Sequence, residues 1–308
     1  MKRQLVTTGA KWEAEVGYSR AVRAGQHVFI SGTTAVDSKG RLLCQPDVCI
    51  QARRVFEIIA ESLQEVGACL EDVVRTRMYV TDMADADALG QVHGDVFGRI
   101  RPAATLVEVS RLIDPRLRVE IEVEAIVGSG GADAVILAGG DSSRMGRDKS
   151  RIRLGRRTLL GHSKAALQSL GLKPRVVATD RQPGLGPLGG IDSALSLARH
   201  SRILFIGCDM PFLSGKLIDL FFLMATAGKG AMFTQHKKGV GFPFMLSQSD
   251  RPIIEKQISK GELSLQRLAK TLKARTWKPS VDHLPELFNI NTPSDLAEAK
   301  RTWEEAKF

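Results

Sequence analysis

The sequence predicts an α+β sandwich followed by an α/β domain with a mostly parallel sheet. Its 308 residues suffice for two domains, each with a core of its own. A glycine-rich stretch, GSGGAD at 128–133, separates two different patterns of apolar residues. Charge divides at the same place. Residues 1–128 hold 16 basic and 18 acidic side chains, a net of −2; residues 129–308 hold 28 and 16, a net of +12. The expected domains are 1–128 and 134–308, joined by a linker at 129–133. The surplus on the second suits anionic partners, although a solubilising surface would look the same.

In the first half, HVFISGT (27–33), VVRTRMYVTD (73–82), RPAATLVEVS (101–110) and RVEIEVEAIVG (118–128) are β-branched and partly alternating, as strands are. Between the first two, Val48, Ala52, Val55, Phe56, Ile59, Leu63 and Val66 recur at helical spacing. Strand, helix, strand, helix, strand, strand is the order of a small α+β sandwich.

In the second half, DAVILAGG (133–140) is a strand running into a glycine loop, followed by a helix at 158–171. Then come strand RVVATD (175–180), loop RQPGLGPLGG (181–190) and helix IDSALSLARH (191–200). Strand RILFIGCDM (202–210) and helix KLIDLFFLMATAG (216–228) complete the series. Repeated βα units imply parallel strands with ligands at their carboxyl ends. The tail is a helix with a clear start: Thr292 as N-cap, Pro293 at N1 and Asp295 placed for a capping box.

Several classes are excluded or disfavoured. With 43% hydrophobic and 25% charged residues the composition is that of a globular protein. No apolar run approaches 18 residues, so no membrane span is expected. MKRQLVTTGAKWEAE lacks the apolar core of a secretory signal. Cys44, Cys49, Cys69 and Cys208 make neither a disulfide framework nor a zinc site, and a reducing cytoplasm is the expected compartment. His162, His200, His236 and His283 show no ligand spacing and are read as structural or surface groups.

The strongest chemical signal is LAGGDSSRMGRDK, Leu137 to Lys149. Gly139 and Gly140 end a strand, so backbone N–H groups can approach phosphate oxygens without a Cβ in the way. Arg144 and Lys149 supply the cations a triphosphate needs. No GK[ST] follows at Walker spacing. The plainer alternative is a tight βα turn with two solvated cations. Asp209 ends the apolar strand RILFIGCD, where a lone carboxylate plus triphosphate oxygens could hold Mg²⁺. The lesser alternative is a cap on the helix that follows. Asp180, after RVVAT, is as easily a turn former.

LAGGDSSRMGRDK resembles the signature of the MobA-like nucleotidyltransferases, the molybdenum cofactor guanylyltransferases. Gly186-Pro187-Leu188-Gly189-Gly190, Cys208-Asp209-Met210-Pro211-Phe212 and Phe288-Asn289-Ile290-Asn291-Thr292-Pro293 extend the resemblance over 132–308. The resemblance implies a Rossmann-like fold and GTP bound at Leu137, Ala138, Gly139, Gly140, Lys149 and Gly186. It further implies nucleotide contact at Asp180 and Mg²⁺ on Asp209, with Arg144, Lys149 and Asp209 as the catalytic set. One departure stands out: only 36 residues separate Lys149 from Gly186, where the family has room for another strand and turn.

The segment from Gln26 to Gly128 resembles the Rid (YjgF-like) family, carried by RPAATLVEVSRLIDPRLRVEIEVEAIV and supported by FISGT. That resemblance implies a chorismate-mutase-like sandwich and a homotrimer with clefts between subunits. Family deaminases hold a substrate carboxylate with an arginine and handle water with a glutamate. Here Ala104 occupies the arginine position, and Glu122 matches the glutamate. Glu120, Glu122 and Glu124 share one strand face, which reads most simply as solvated or interface-lining. A binding or assembly module is therefore expected.

Together these readings predict transfer of GMP from GTP to molybdopterin with release of pyrophosphate. Contact with a molybdoenzyme or its chaperone is implied, and neither nucleic acid nor membrane is expected as a partner. The rivals are a cytidylyltransferase of the same cofactor, an imine deaminase or binding protein, and an NAD-dependent oxidoreductase. The last rests on Gly184-x-Gly186-x-x-Gly189 with Asp209 downstream, although Pro187 stiffens that loop.

Overall fold

The computed structural model describes residues 3–37, 40–43, 45–138, 148–177, 185–237 and 239–305. The chain divides into two compact units, 1–131 with 226–229 and 132–225 with 230–308.

The first unit opens with β1 (Arg3–Val6), α1 (Lys11–Val16), β2 (Ala21–Ala24) and β3 (His27–Thr33). It continues through α2 (Val48–Glu65), β4 (Val73–Val80), α3 (Ala86–Phe97), β5 (Ala103–Glu108) and β6 (Val119–Ile126). The sheet order is β1-β2-β3-β6-β4-β5, antiparallel throughout except for β4 beside β5. Strict alternation in β6 sends Val119, Ile121, Val123 and Ala125 into the core. There they meet the apolar face of α2, from Val48 to Leu63. Asp47 caps α2 by accepting from the backbone N–H groups of Cys49 and Ile50. The two predicted helices and four strands are present. β1, β2 and α1 were not legible, because they are short and β1 is mostly exposed, without an apolar alternation.

The end of this unit is tied down. The buried Asp72 carboxylate accepts from the backbone N–H of Gly128 at 2.9 Å and of Gly130 at 3.2 Å. Ser129 Oγ donates to the Asp72 carbonyl at 3.2 Å. Gly130 lies so close to Glu71 that a Cβ there would meet its backbone at 2.5 Å.

The second unit contains β7 (Asp133–Leu137), the short strands β8 (Arg153–Leu154) and β9 (Arg157–Thr158), and α4 (Leu159–Gln168). β10 (Arg175–Val177), α5 (Gly186–Ser196), β11 (Arg202–Gly207), α6 (Gly215–Thr226), β12 (Met232–His236) and β13 (Gly239–Ser247) follow. The remaining elements are α7 (Arg251–Ser259), α8 (Leu265–Thr271), β14 (Arg275–Trp277) and α9 (Pro293–Glu305). The main sheet runs β10-β7-β11-β13-β12-β14, and only β13 opposes the direction of the other five.

Alternation along β7 explains the layers. Ala134 and Ile136 face the core shared with α4 and α6, while Val135 and Leu137 face that shared with α5. Helices thus cover both faces. A third cluster joins Ile152, Leu154 and Leu159 to Ile290, Leu296 and Ala299. The expected loop through residue 190 is shorter than the sequence suggested. α5 begins at Gly186, whose φ is +56, and carries Pro187 in its first turn, where a missing N–H costs no hydrogen bond.

Candidate nucleotide site

The carboxyl ends of β7 and β11 lie side by side, with Gly207 paired to Leu137. Two backbone bonds extend the sheet past its last residues. Ala138 N–H donates to the Val177 carbonyl at 2.9 Å, and Cys208 N–H to the Leu137 carbonyl at 3.1 Å. Asp209 therefore leaves the sheet beside the start of the glycine loop. Its carbonyl accepts from Ile290 N–H at 2.9 Å, which brings the FNINTP segment to the same edge.

Lys149 meets this edge from a short 3-10 turn, Lys149–Arg151, capped by Asp148, which accepts from Ser150 N–H. Its Nζ donates to Asn291 Oδ1 at 2.8 Å and stands 3.8 Å from Asp209 Oδ2. Burial pushes the Asp209 carboxyl above its ordinary range, and the Lys149 charge offsets this only in part. Asn291 is held in turn. Asp295 Oδ2 accepts from Asn291 N–H and Thr292 N–H, both at 2.8 Å, and Thr292 Oγ1 accepts from Asp295 N–H at 3.2 Å. This is the predicted capping box of α9, here serving to position a lysine partner. Burial would raise the Asp295 carboxyl, but the bonds from Asn291 and Thr292, with Lys149 nearby, outweigh it and lower the pKa.

Space around Asp209 is tight. A Cβ on Gly207 would come within 2.5 Å of Asp209 Oδ1 and 3.3 Å of the Phe242 ring. Ser163 Oγ fixes the Gly207 carbonyl at 3.0 Å. Cys208, turned into the core, has its thiol pushed up to about 12 by burial and by Asp209. It is no nucleophile.

Of the residues expected at the site, Leu137, Ala138, Lys149 and Asp209 come together along this edge. Gly139, Gly140, Arg144 and Asp180 lie outside the described residues, as do Gly184 and Cys44. Gly186 opens α5, and among the described residues no hydrogen bond links it to Lys149 or Asp209. Sequence reasoning assigned no role to Asn291, although FNINTP was the available signal. His236 also lies beyond what spacing revealed, its Nε2 donating to the Phe242 carbonyl at 2.8 Å.

Among the described residues no three His, Cys, Asp or Glu side chains are grouped to hold a metal. One half-buried carboxylate that burial disfavours as an anion does fit Mg²⁺ shared with a triphosphate, because that ion keeps waters and needs few protein ligands. The dinucleotide alternative fits the topology poorly. Its glycine turn follows β10 and its acidic residue follows β11, with β7 between them.

In the first unit, Glu122 Oε1 is occupied twice, by Arg77 Nη1 at 2.7 Å and the Tyr79 hydroxyl at 3.1 Å. Arg77 Nη2 also reaches Glu124 Oε1 at 2.9 Å. Ala104 sits in β5, paired with Thr76. Burial and the Glu122 carboxylate both push the Tyr79 phenol up.

An α/β unit with a cationic and a carboxylate group at its carboxyl edge, preceded by a small α+β sandwich, defines a two-part protein of the nucleotidyltransferase class. The family comparisons agree. Residues 8–127 match the Endoribonuclease L-PSP family and residues 134–276 the MobA-like NTP transferase domain. A RutC family protein of Pyrococcus abyssi is 38% identical over 109 residues, 35% of this chain and 84% of its own. A "Probable molybdenum cofactor guanylyltransferase" of Opitutus terrae is 31% identical over 194 residues, 54% of this chain and 93% of its own. A solved structure from Mycobacterium tuberculosis, of the YjgF/YER057c/UK114 family, is 44% identical and covers 41% of this chain and 100% of its own, with a TM-score of 0.38. The chain belongs to both families, to the Rid/YjgF family through its first unit and to the MobA-like NTP transferases through its second.

Proposed function

We propose that the second unit transfers GMP from GTP to molybdopterin and releases pyrophosphate. The observation that carries this is Lys149, held by Asn291 and facing Asp209 at the carboxyl edge of two parallel strands. The guanylyltransferase relatives support the choice of substrates. The terminal phosphate of molybdopterin would attack the α-phosphate of GTP, so no protein nucleophile is required. Lys149, together with Arg144 and the amides of Gly139 and Gly140, would meet the charge that develops on the phosphate oxygens. Asn291 Oδ1 holds the ammonium in place at 2.8 Å. When bound on Asp209, Mg²⁺ supplies Lewis-acid neutralisation of the triphosphate.

The experiment is pyrophosphate release from GTP, CTP or ATP with molybdopterin and Mg²⁺. Release from GTP alone supports the reading. Release from CTP instead would make the enzyme a cytidylyltransferase, and stabilisation by NAD alone would remove the nucleotidyltransferase reading.

For the first unit we infer binding or assembly, as a homotrimer, rather than imine hydrolysis. Glu122 is engaged by Arg77 and Tyr79, and no guanidinium stands at Ala104. Robust hydrolysis of 2-aminoacrylate-type imines by the unmodified chain would overturn this.

A further inference from the structure

Four arginines fall within residues 151–157, the β8–β9 hairpin and its approach: Arg151, Arg153, Arg156 and Arg157, all exposed. Arg151 reaches Asp148 at 3.4 Å. Among the described residues, the side chains of Arg153, Arg156 and Arg157 make no ion pair or hydrogen bond, and only the backbones of Arg153 and Arg157 are paired, in the hairpin itself. The scaffold beneath them is firm. Gly155 takes φ +58 at the first central position of a two-residue turn, the conformation that suits a tight hairpin. The Trp303 indole packs so close that a Cβ on Gly155 would meet it at 2.6 Å. Leu154 is buried, and His162 Nε2 donates to its carbonyl at 2.9 Å.

We propose that this hairpin is a docking surface for an acidic segment of a partner protein. Its guanidinium groups are carried on a hairpin that is already formed, so on this side of the contact binding orders side chains rather than backbone. Arginine at all four positions suits two-pronged pairing with carboxylates. A nucleic-acid track fits less well. Such tracks neutralise about six to ten phosphates and stack bases on exposed aromatic rings. Here there are four cations, and the Trp303 ring beneath the turn is engaged against Gly155. Because the hairpin follows directly on Lys149, a bound partner would sit next in sequence to the residue that anchors the candidate site.

The test is fluorescence anisotropy of the full chain with labelled poly-L-glutamate and with labelled oligo(dT), at several salt concentrations. The variant Arg153→Gln/Arg156→Gln/Arg157→Gln is compared with Lys256→Gln/Lys260→Gln/Lys270→Gln, which removes as much charge elsewhere. We expect poly-L-glutamate to bind the parent and the lysine variant alike, and the arginine variant roughly tenfold more weakly. Unchanged thermal unfolding and unchanged GTP turnover in the arginine variant separate this surface from the nucleotide site. Equal loss in both variants would reduce the effect to net charge and overturn the proposal. Tighter, hairpin-dependent binding of oligo(dT) would also overturn it, in favour of nucleic acid.

Discussion

At the scale of single residues, function hangs on how Lys149 is held. Its ammonium is only partly exposed; its hydrogen bond goes to a neutral amide at 2.8 Å while the Asp209 carboxylate stands farther off at 3.8 Å, so no close carboxylate consumes its charge. Lys149→Ala should lower nucleotide transfer by roughly 10²–10³-fold, the usual loss for one preorganised charge-stabilising donor. Thermal unfolding should not change, because no core contact is removed. Turnover at the parental rate would remove Lys149 from the reacting centre. A second residue sets a pH limit on the first unit. His93 lies 3.0 Å from Thr76 Oγ1 among Phe56 and Phe97, and burial lowers its pKa below the ordinary 6.5. The folded state then binds fewer protons than the unfolded one. Stability from this group is complete above pH 6.5 and is lost as the pH falls through the lowered value. His93→Gln, which keeps a polar partner for Thr76, should flatten that part of the stability–pH curve. A curve unchanged by the substitution would show that His93 is not responsible.

At the scale of elements, legibility followed periodicity and length. α2 and β6 announce themselves because every third or fourth, or every second, residue is apolar and reaches one core. β12, β13 and β14, with α7 and α8, did not. β13 begins Gly-Val-Gly-Phe-Pro, where glycine and proline hide the strand pattern, and β14 is only Arg275–Trp277. The place of Asp209 was legible because the apolar run before it ends there, and strand ends mark ligand positions in such sheets. The Asn291–Lys149 bond was not, since it joins groups 142 residues apart that only the folded tail brings together. The hairpin and α9 form one such long-range joint. Trp303→Ala, by unsupporting the Gly155 turn and His162, should cost roughly 1–3 kcal/mol, less than a fully buried ring would. Chemical unfolding of the variant measures it, and a change below about 0.5 kcal/mol would mean that the hairpin stands without the ring.

At the scale of the whole molecule, two families share one chain, and the glycine-rich boundary between them is fastened at its start to the first unit. Asp72 is buried, and its carboxylate accepts not only from Cys69 N–H but also from the amides of Gly128 and Gly130. The first unit is therefore not finished where its last strand ends. A fragment stopped at residue 128 loses the Gly130 amide and the Ser129 hydroxyl, leaving the buried carboxylate with one donor fewer at a cost of about 1–3 kcal/mol. A fragment carried to residue 131 should melt measurably higher, and equal melting of the two would show that the amide contributes nothing. The same fastening decides where the chain tolerates lengthening. Extra glycine and serine placed after Gly131 would enter as slack, whereas the same insertion between Gly128 and Gly130 would pull one amide away from Asp72. The joint thus behaves less like a rope than like a rope's cleat: whatever strain reaches the chain there is borne first by a carboxylate and two amides, and only then by β6.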